Sequence, residues 1–523
     1  MTVYYVDSLT GSDTNTGTSE TSALASLAVA SKLTLHAGDS VLLAAGSTFD
    51  GQLTIKASGT VDNPITFGSY GDGEAPIITG GQQGITGSNQ SNIVIENIDI
   101  THTVSNAIYA GNATNWLLSN VSVTDTGSDS VGGSVSFQNS RNITVEDSTI
   151  IGTHGDGIWM KGNDNVTIRD SVVLNSVGPN ADAIQINDSS NITISGNVLD
   201  MTGETGSNKG VLVLARAINA TVEDNTLTGG GFGASLIGTN IAVHDNDISD
   251  FHGYTWSYGI GLGDTANAIN YDISGNYIHD GTWGVAVTAA GNPDIVREGI
   301  EISDNVFDEL TGAALKVDRP ATGTFEDNTI DTGTKVAYIS SAVTASGTFT
   351  VEDNVQTNVP DDQTAGSSAA SSAEARIADV ATDDATISSL AVSDSVTTTD
   401  ISGAVAAQDS DLSASSTTVA VQAELQSLAK SEAAGDSVSA SMLDNLTKAD
   451  HFAFAEIHAS TPVAGSQDGA THFMSDHIDS LAEAPSEAAN VEHLDGSRLG
   501  LDNHWHYDAL EHAKASDVPF GDV

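Results

Sequence analysis

Asn142-Ile-Thr-Val-Glu-Asp-Ser-Thr-Ile150 is repeated in outline at 165–173 as NVTIRDSVV, at 191–199 as NITISGNVL and at 219–227 as NATVEDNTL. Apolar residues alternate with polar ones, a polar pair breaks the run, and a second short apolar stretch follows; that is a strand, a tight turn and another strand. The phrase extends upstream to NIVIENIDI at Asn92 and NWLLSNVSV at Asn115. Downstream it runs through NIAVHDNDI at Asn240, NYDISGNYI at Asn270 and GIEISDNVF at Gly299, then fades in GTFEDNTI and FTVEDNV. Successive starts lie 23, 27, 23, 26, 28, 21, 30 and 29 residues apart. A constant coil carrying loops of variable length explains that scatter, and a third short strand (AIYAG, SVSFQ, GIWMK, AIQIN, VLVLA, ASLIG, GIGLG, GVAVT, ALKVD) precedes each phrase. The pattern predicts an all-β, single-stranded, right-handed parallel β-helix of about eleven coils over residues 89–360.

Asn197, Asn225, Asn246, Asn276, Asn305, Asn328 and Asn354 share one register with Ser148 and Ser171. Seven asparagines stacked at one bend predict an internal ladder, with each Asn in the left-handed conformation and its amide bonded to the next coil. Residues 1–88 form the N-terminal cap and first coils, where an amphipathic segment at Ala23–Ser31 can cover the open end. Residues 361–417 turn to Ala, Ser, Thr and Asp and read as a linker. Residues 418–523 form a small, partly helical, acidic region for export or homo-oligomeric assembly. It holds His451, His458, His472, His477, His493, His504, His506 and His512, in no metal-binding spacing, so they read as surface or packing histidines.

The chain carries 69 Asp plus Glu against 16 Lys plus Arg, a net charge of −53. Phosphate backbones and anionic headgroups are bound by Lys and Arg, so nucleic acid and anionic membranes are poor partners. There is no cysteine, hence no disulfide frame or thiol nucleophile. No apolar run is long enough to span a bilayer, and the N-terminus lacks the basic and apolar regions of a cleaved signal.

The opening, with Tyr4-Tyr-Val-Asp7, the Gly-Ser-Asp turn, Gly38-Asp-Ser-Val-Leu42 and Asn63-Pro-Ile-Thr66, resembles that of extracellular β-helix polysaccharide lyases and related carbohydrate-active repeat proteins. The resemblance covers about the first 90 residues and implies a polysaccharide partner outside the cell. It is also similar to proteins exported without a cleaved N-terminal signal, although their calcium-binding nonapeptides are absent. Display on a phage-like particle is the alternative location.

Aligning the third strands stacks their residues into columns about 4.8 Å apart. One column reads Asn106, Gly133, Asp156, Asp182, Lys209, Tyr258 and Trp283; the next holds Trp159, Gln185 and Leu212, and a further one Lys161 and Asn187. Only eight Lys or Arg lie between Asn89 and Arg319, and Lys161, Lys209 and Arg216 fall in this neighbourhood. The expected catalytic residues are Asp156, Asp182 and Lys209, on one exposed patch. Neighbouring carboxylates raise one pKa and give a proton donor beside a base, as hydrolysis of a glycoside needs. A lysine could instead take the proton beside a uronate carboxylate in a lyase, with Ca²⁺ held by the Asp pair. Trp159, Lys161, Gln185, Arg216, Tyr258 and Trp283 are the expected substrate-binding residues, and the loop FHGYTWS at 251–257 adds flat rings for stacking on sugars. The expectation is a polysaccharide lyase or glycoside hydrolase; the alternative is a non-catalytic carbohydrate-binding spike, adhesin or matrix protein.

Overall fold

The chain winds three short strands per turn, and each strand pairs in parallel with its counterpart one turn further on. The coil at Asp156–Lys161, Asp164–Arg169 and Val172–Leu174 sets the pattern. Ile158 lies beside Ile184, Val166 beside Ile192 and Val173 beside Leu199. Three long sheets result, named here first, second and third in that order, over about eleven turns. This computed structural model describes residues 1–359 apart from 129–131, 179–180, 203–209, 264–265, 289–294 and 347. Lys209, the linker 361–417 and the region 418–523 with its eight expected histidines and assembly role lie outside the described residues.

Alternation within each strand decides what is inside. Ile158, Met160, Val166, Ile168 and Val173 are all fully buried, and the same positions repeat coil after coil in one continuous core. The solenoid starts earlier than its clearest repeats: Val3–Val6 already pairs with Ser40–Ala44. A four-residue helix, Leu27–Ala30, buries Leu27 and Ala30 against the first coils, and the Ser26 hydroxyl accepts the Val29 N–H at 3.3 Å. Apolar cover at this end is what an otherwise open stack of strand edges requires.

The asparagine ladder is present, with one correction. Asn225 donates through Nδ2 to Asn246 Oδ1 at 2.9 Å, Asn246 to Asn276 at 2.8 Å and Asn276 to Asn305 at 2.9 Å. Each Oδ1 also accepts a backbone N–H, as from Asn246 to Asn276 at 3.0 Å. The left-handed conformation, however, falls on the residue before each ladder position: Asp170, Asp224, Asp245, Asp304, Asp327 and Asp353 have φ of 52–55°. The bend is made by an Asp, or by Gly196 and Gly275 before Asn197 and Asn276, residues that tolerate that region, and this turns the following Asn amide inward where it replaces lost water contacts. A second ladder runs on the outside along the first Asn of each phrase. Asn115, Asn142 and Asn165 each donate to the previous coil at 2.6–2.9 Å, opposite in direction to the buried ladder.

Asn276→Ala removes an amide that also donates to Val243 O at 2.8 Å and Ser274 O at 3.1 Å, leaving several buried groups without partners. It is expected to destabilise the solenoid by roughly 2–4 kcal/mol. A denaturation midpoint in urea unchanged from wild type would rule out a structural role for the ladder.

Candidate functional site

The outward columns of the first sheet follow the alignment made from sequence, in a register that differs by one residue in one coil. Gly133 pairs with Asp156, and the pairing of Ile158 with Ile184 sets Asp156 beside Asp182. A side chain at Gly157 would run into Val173 of the core, so Gly157 and Ile158 both face inward and Asp156 is left on the outer side. The next coil pairs Ile184 with Leu212, which puts Gly210 in line with Asp182 and not Lys209. In the neighbouring column Val213 takes the place expected for Leu212, a fully buried core residue. The run Val211-Leu-Val-Leu214 is apolar at both parities, so nothing in it marks which residues face out, and a slip by one exchanges the faces. Phe232 fills the coil that the alignment left open, followed by Tyr258 and Trp283.

Asp156 and Asp182 are adjacent as expected, yet they are not an open patch: they are 3% and 4% exposed. Asp182 N–H donates to Asp156 Oδ1 at 2.9 Å, and Gly210 N–H donates to Asp182 Oδ1 at 2.8 Å. Burial, and for Asp156 the neighbouring Asp182 as well, pushes both carboxyls up, Asp182 to about 8; the N–H donors only partly oppose this. Both shifts favour the protonated form, so at neutral pH the pair retains a proton between its two neighbouring carboxyls.

The remaining expected residues divide. Trp159 is 9% exposed, its indole lying across Gly132 and Gly133 of the coil before. Gln185 is half-buried and donates to Asn187 Oδ1 at 3.2 Å. Lys161 is exposed, and its charge helps to hold the Asp188 carboxyl low, after the larger effect of Arg216. Arg216 sits at the corner after the first sheet with φ of 56°, its guanidinium in a two-pronged pair with Asp188 at 2.5 and 3.0 Å.

Beyond the carboxylates the same face becomes aromatic. Phe232 and Tyr258 have ring centroids 5.6 Å apart, Trp256 and Tyr258 6.2 Å, and Trp283 and Tyr338 5.9 Å. Tyr254 stacks on Trp256 at 5.0 Å and 15°. Trp256 and Tyr338 are 36% and 43% exposed, enough to present ring surface to solvent. Two ammonium groups lie over these rings, Lys316 at 4.8 Å from Trp283 and Lys335 at 5.5 Å from Tyr338. Phe232, Tyr338 and the two lysines were missed as site residues. Phe232 follows three glycines that blur the register, and Tyr338 lies in the last, most degenerate coils.

The second sheet bears an open groove of ≈ 630 Å³ lined by Asn191, Asn219, Asn240, Asn270, Asp272 and Glu301. Its amides bond to one another along the outer ladder, and its one ring, Tyr271, is 2% exposed, so it offers no stacking surface. Among the described residues no three His, Asp or Glu side chains could together hold a metal ion, and no helix is long and apolar enough to cross a membrane.

The raised carboxyls fix a sign. Their contribution to stability is complete below about pH 4, the unfolded carboxyl range, and is lost as pH rises through the folded values. Asp182→Asn is expected to match wild type near pH 4 and to exceed it near pH 9, by on the order of 3–5 kcal/mol if no new bond is lost. Chemical denaturation at the two pH values measures this; a variant less stable than wild type at pH 9 contradicts the assignment.

Several known proteins are similar to this chain. It is 44% identical over 93 residues to the lacto-N-biosidase of Bifidobacterium longum subsp. longum, a match covering 17% of this chain and spanning 6% of that relative's length. A crystal structure of lacto-N-biosidase from Eubacterium ramulus superposes with a TM-score of 0.46 at 14% identity, covering 68% of each chain. The pectate lyase Pel9A gives a TM-score of 0.37 at 15% identity, covering 55% of this chain and 77% of its own. Residues 76–227 and 205–378 match the family model described as the right handed beta helix region. With parallel coils observed and more than half of its length matched, the chain belongs to the right-handed β-helix family.

Proposed function

We propose that this is a carbohydrate-active protein that lays a glycan along the outer face of the first sheet, and that it hydrolyses a glycosidic bond there. The observation that carries the reading is the sharing of one face by a proton-holding carboxyl pair, Asp156 and Asp182, and an aromatic run from Phe232 to Tyr338. Sugar rings stack on exposed aromatic surface through their C–H faces, which supplies affinity without charge. The 93-residue similarity to a lacto-N-biosidase agrees in kind. Hydrolysis is favoured over elimination because the carboxyl pair itself offers a proton donor beside a second carboxyl, the arrangement that hydrolysis of a glycoside uses.

In this reading a protonated carboxyl donates to the leaving oxygen and its ionised neighbour acts at the anomeric carbon. A one-coil rise of about 4.8 Å fits the ~5 Å carboxyl separation of retaining enzymes. Burial keeps the donor protonated at neutral pH. The second reading, a glycan-binding protein without catalysis, has its own support: each carboxylate accepts a backbone N–H from the next coil and is nearly covered.

A panel of neutral and acidic oligosaccharides, with and without Ca²⁺, separates the two. New reducing ends with retained anomeric configuration are expected, abolished in Asp156→Asn and Asp182→Asn while binding persists. Unsaturated ends absorbing in the ultraviolet would replace hydrolysis by elimination, and binding with no product would leave the non-catalytic reading. Trp256→Ala and Tyr338→Ala should each weaken binding about tenfold, near 1.4 kcal/mol. If no saccharide binds, the carbohydrate reading fails.

A further inference from the structure

The outer face of the third sheet holds a titratable network that the proposed reaction does not use. His279 is gripped by two carboxylates, Nδ1 to Asp280 Oδ2 at 2.6 Å and Nε2 to Asp247 Oδ1 at 3.0 Å. Tyr277 stacks on the imidazole at 4.1 Å and 17°, and its hydroxyl donates to Asp308 Oδ2 at 3.2 Å. Asp250 and His252 on the coil before, Asp200 two coils earlier still, and Asp331 on the coil beyond Asp308 complete the charged groups facing it.

Its position in the chain matters more than its composition. Asp250 immediately precedes the aromatic loop 251–257, and Asp280 immediately precedes the strand Gly281–Val287 to which that loop is tied. Trp283 N–H donates to Ser257 O at 3.1 Å, and the Trp283 indole donates to Thr255 O at 2.8 Å. Phe251, fully buried, fills the space beside Gly281, where a side chain would collide with its ring. The segment bearing Tyr254 and Trp256 thus begins at one carboxylate of the cluster, Asp250, and is bonded to a strand that begins at another, Asp280.

We propose that the His279–carboxylate cluster is a proton-operated clamp that orders loop 251–257 and with it the Tyr254–Trp256–Tyr258 ring stack. While His279 is protonated, one cation bridges Asp247 and Asp280 across adjacent coils and offsets the surrounding carboxylates. Loss of the proton leaves like charges facing one another at Asp250, where the loop begins, and at Asp280, where the strand that holds it begins, and the loop loosens. The titration tendencies agree in sign. Burial works against the His279 cation, but Asp247 and Asp280 outweigh it and hold its pKa above 6.5. Burial, with Asp280 assisting, raises Asp250; burial also raises Asp308, to which Asp331 adds. All three favour the bound proton in the folded state, so the order they confer is complete at low pH and lost as pH rises through the folded values. The consequence for sugar binding rests on the glycan reading above; the proton-linked order of the loop does not.

The test needs no saccharide. In protein labelled with ¹³C at histidine, with the resonance assigned by His279→Gln, the imidazole is expected to titrate above 6.5. Hydrogen-exchange protection of residues 251–257 should fall with the same midpoint, and that pH dependence should vanish in His279→Gln. If this variant does not fold, Asp280→Asn should lower the imidazole midpoint instead. A midpoint at or below 6.5, protection of the loop that ignores the His279 titration, or a midpoint unmoved by Asp280→Asn would each overturn the clamp. Because no ligand is present, these outcomes are independent of whether the aromatic face binds a glycan.

Discussion

Each coil must satisfy its backbone through the coils above and below, and the buried asparagine column is where that requirement is hardest to meet. At the bend between the second and third sheets the chain turns too sharply to keep its own ladder. Asn246 and Asn276 supply the missing donors and acceptors, in a core from which water is excluded. Once that bend is fixed, the lengths of the other two strands and the parity of their side chains follow. The first sheet then presents one residue per coil at a fixed rise, and a column of chemistry becomes possible without any local device to build it.

The fold was legible because it repeats. A single Asn or a single strand of alternating residues says little, but nine phrases in one register leave few other structures. The site was less legible, for two physical reasons. Where Gly230-Gly-Phe232 and Val211–Leu214 remove the contrast between inner and outer positions, register is lost, and with it Phe232 and the neighbour of Asp182. Exposure was the other loss. The sequence places Asp156 and Asp182 on the outer side, but nothing in a strand pattern says how deep an outward side chain lies when Trp159-sized neighbours share its face. Arg216 illustrates the same limit: it belongs to the right coil, while the left-handed turn directs it to Asp188.

Charge gives the molecule a second organising rule. In a chain of net charge −53, carboxylates that must be close are kept apart electrically by protonation or by rare cations. Asp156 and Asp182 are pushed by burial toward holding a proton, Asp188 is neutralised by Arg216, and Asp247 and Asp280 share His279. Lys316 and Lys335 lie over aromatic rings, so the face most suited to stacking also carries two of the chain's sixteen Lys and Arg. The distribution distinguishes the first sheet from the amide-lined second sheet more sharply than groove shape does.

Hydrogen–deuterium exchange with and without a bound oligosaccharide tests the central claim most directly, because it reads which sheet the ligand covers. The account predicts added protection in Tyr258–Leu262, Gly281–Val287 and Leu310–Val317 of the first sheet, together with loop 251–257. Protection confined to the second-sheet groove around Asn219, Asn240 and Asn270 would contradict it.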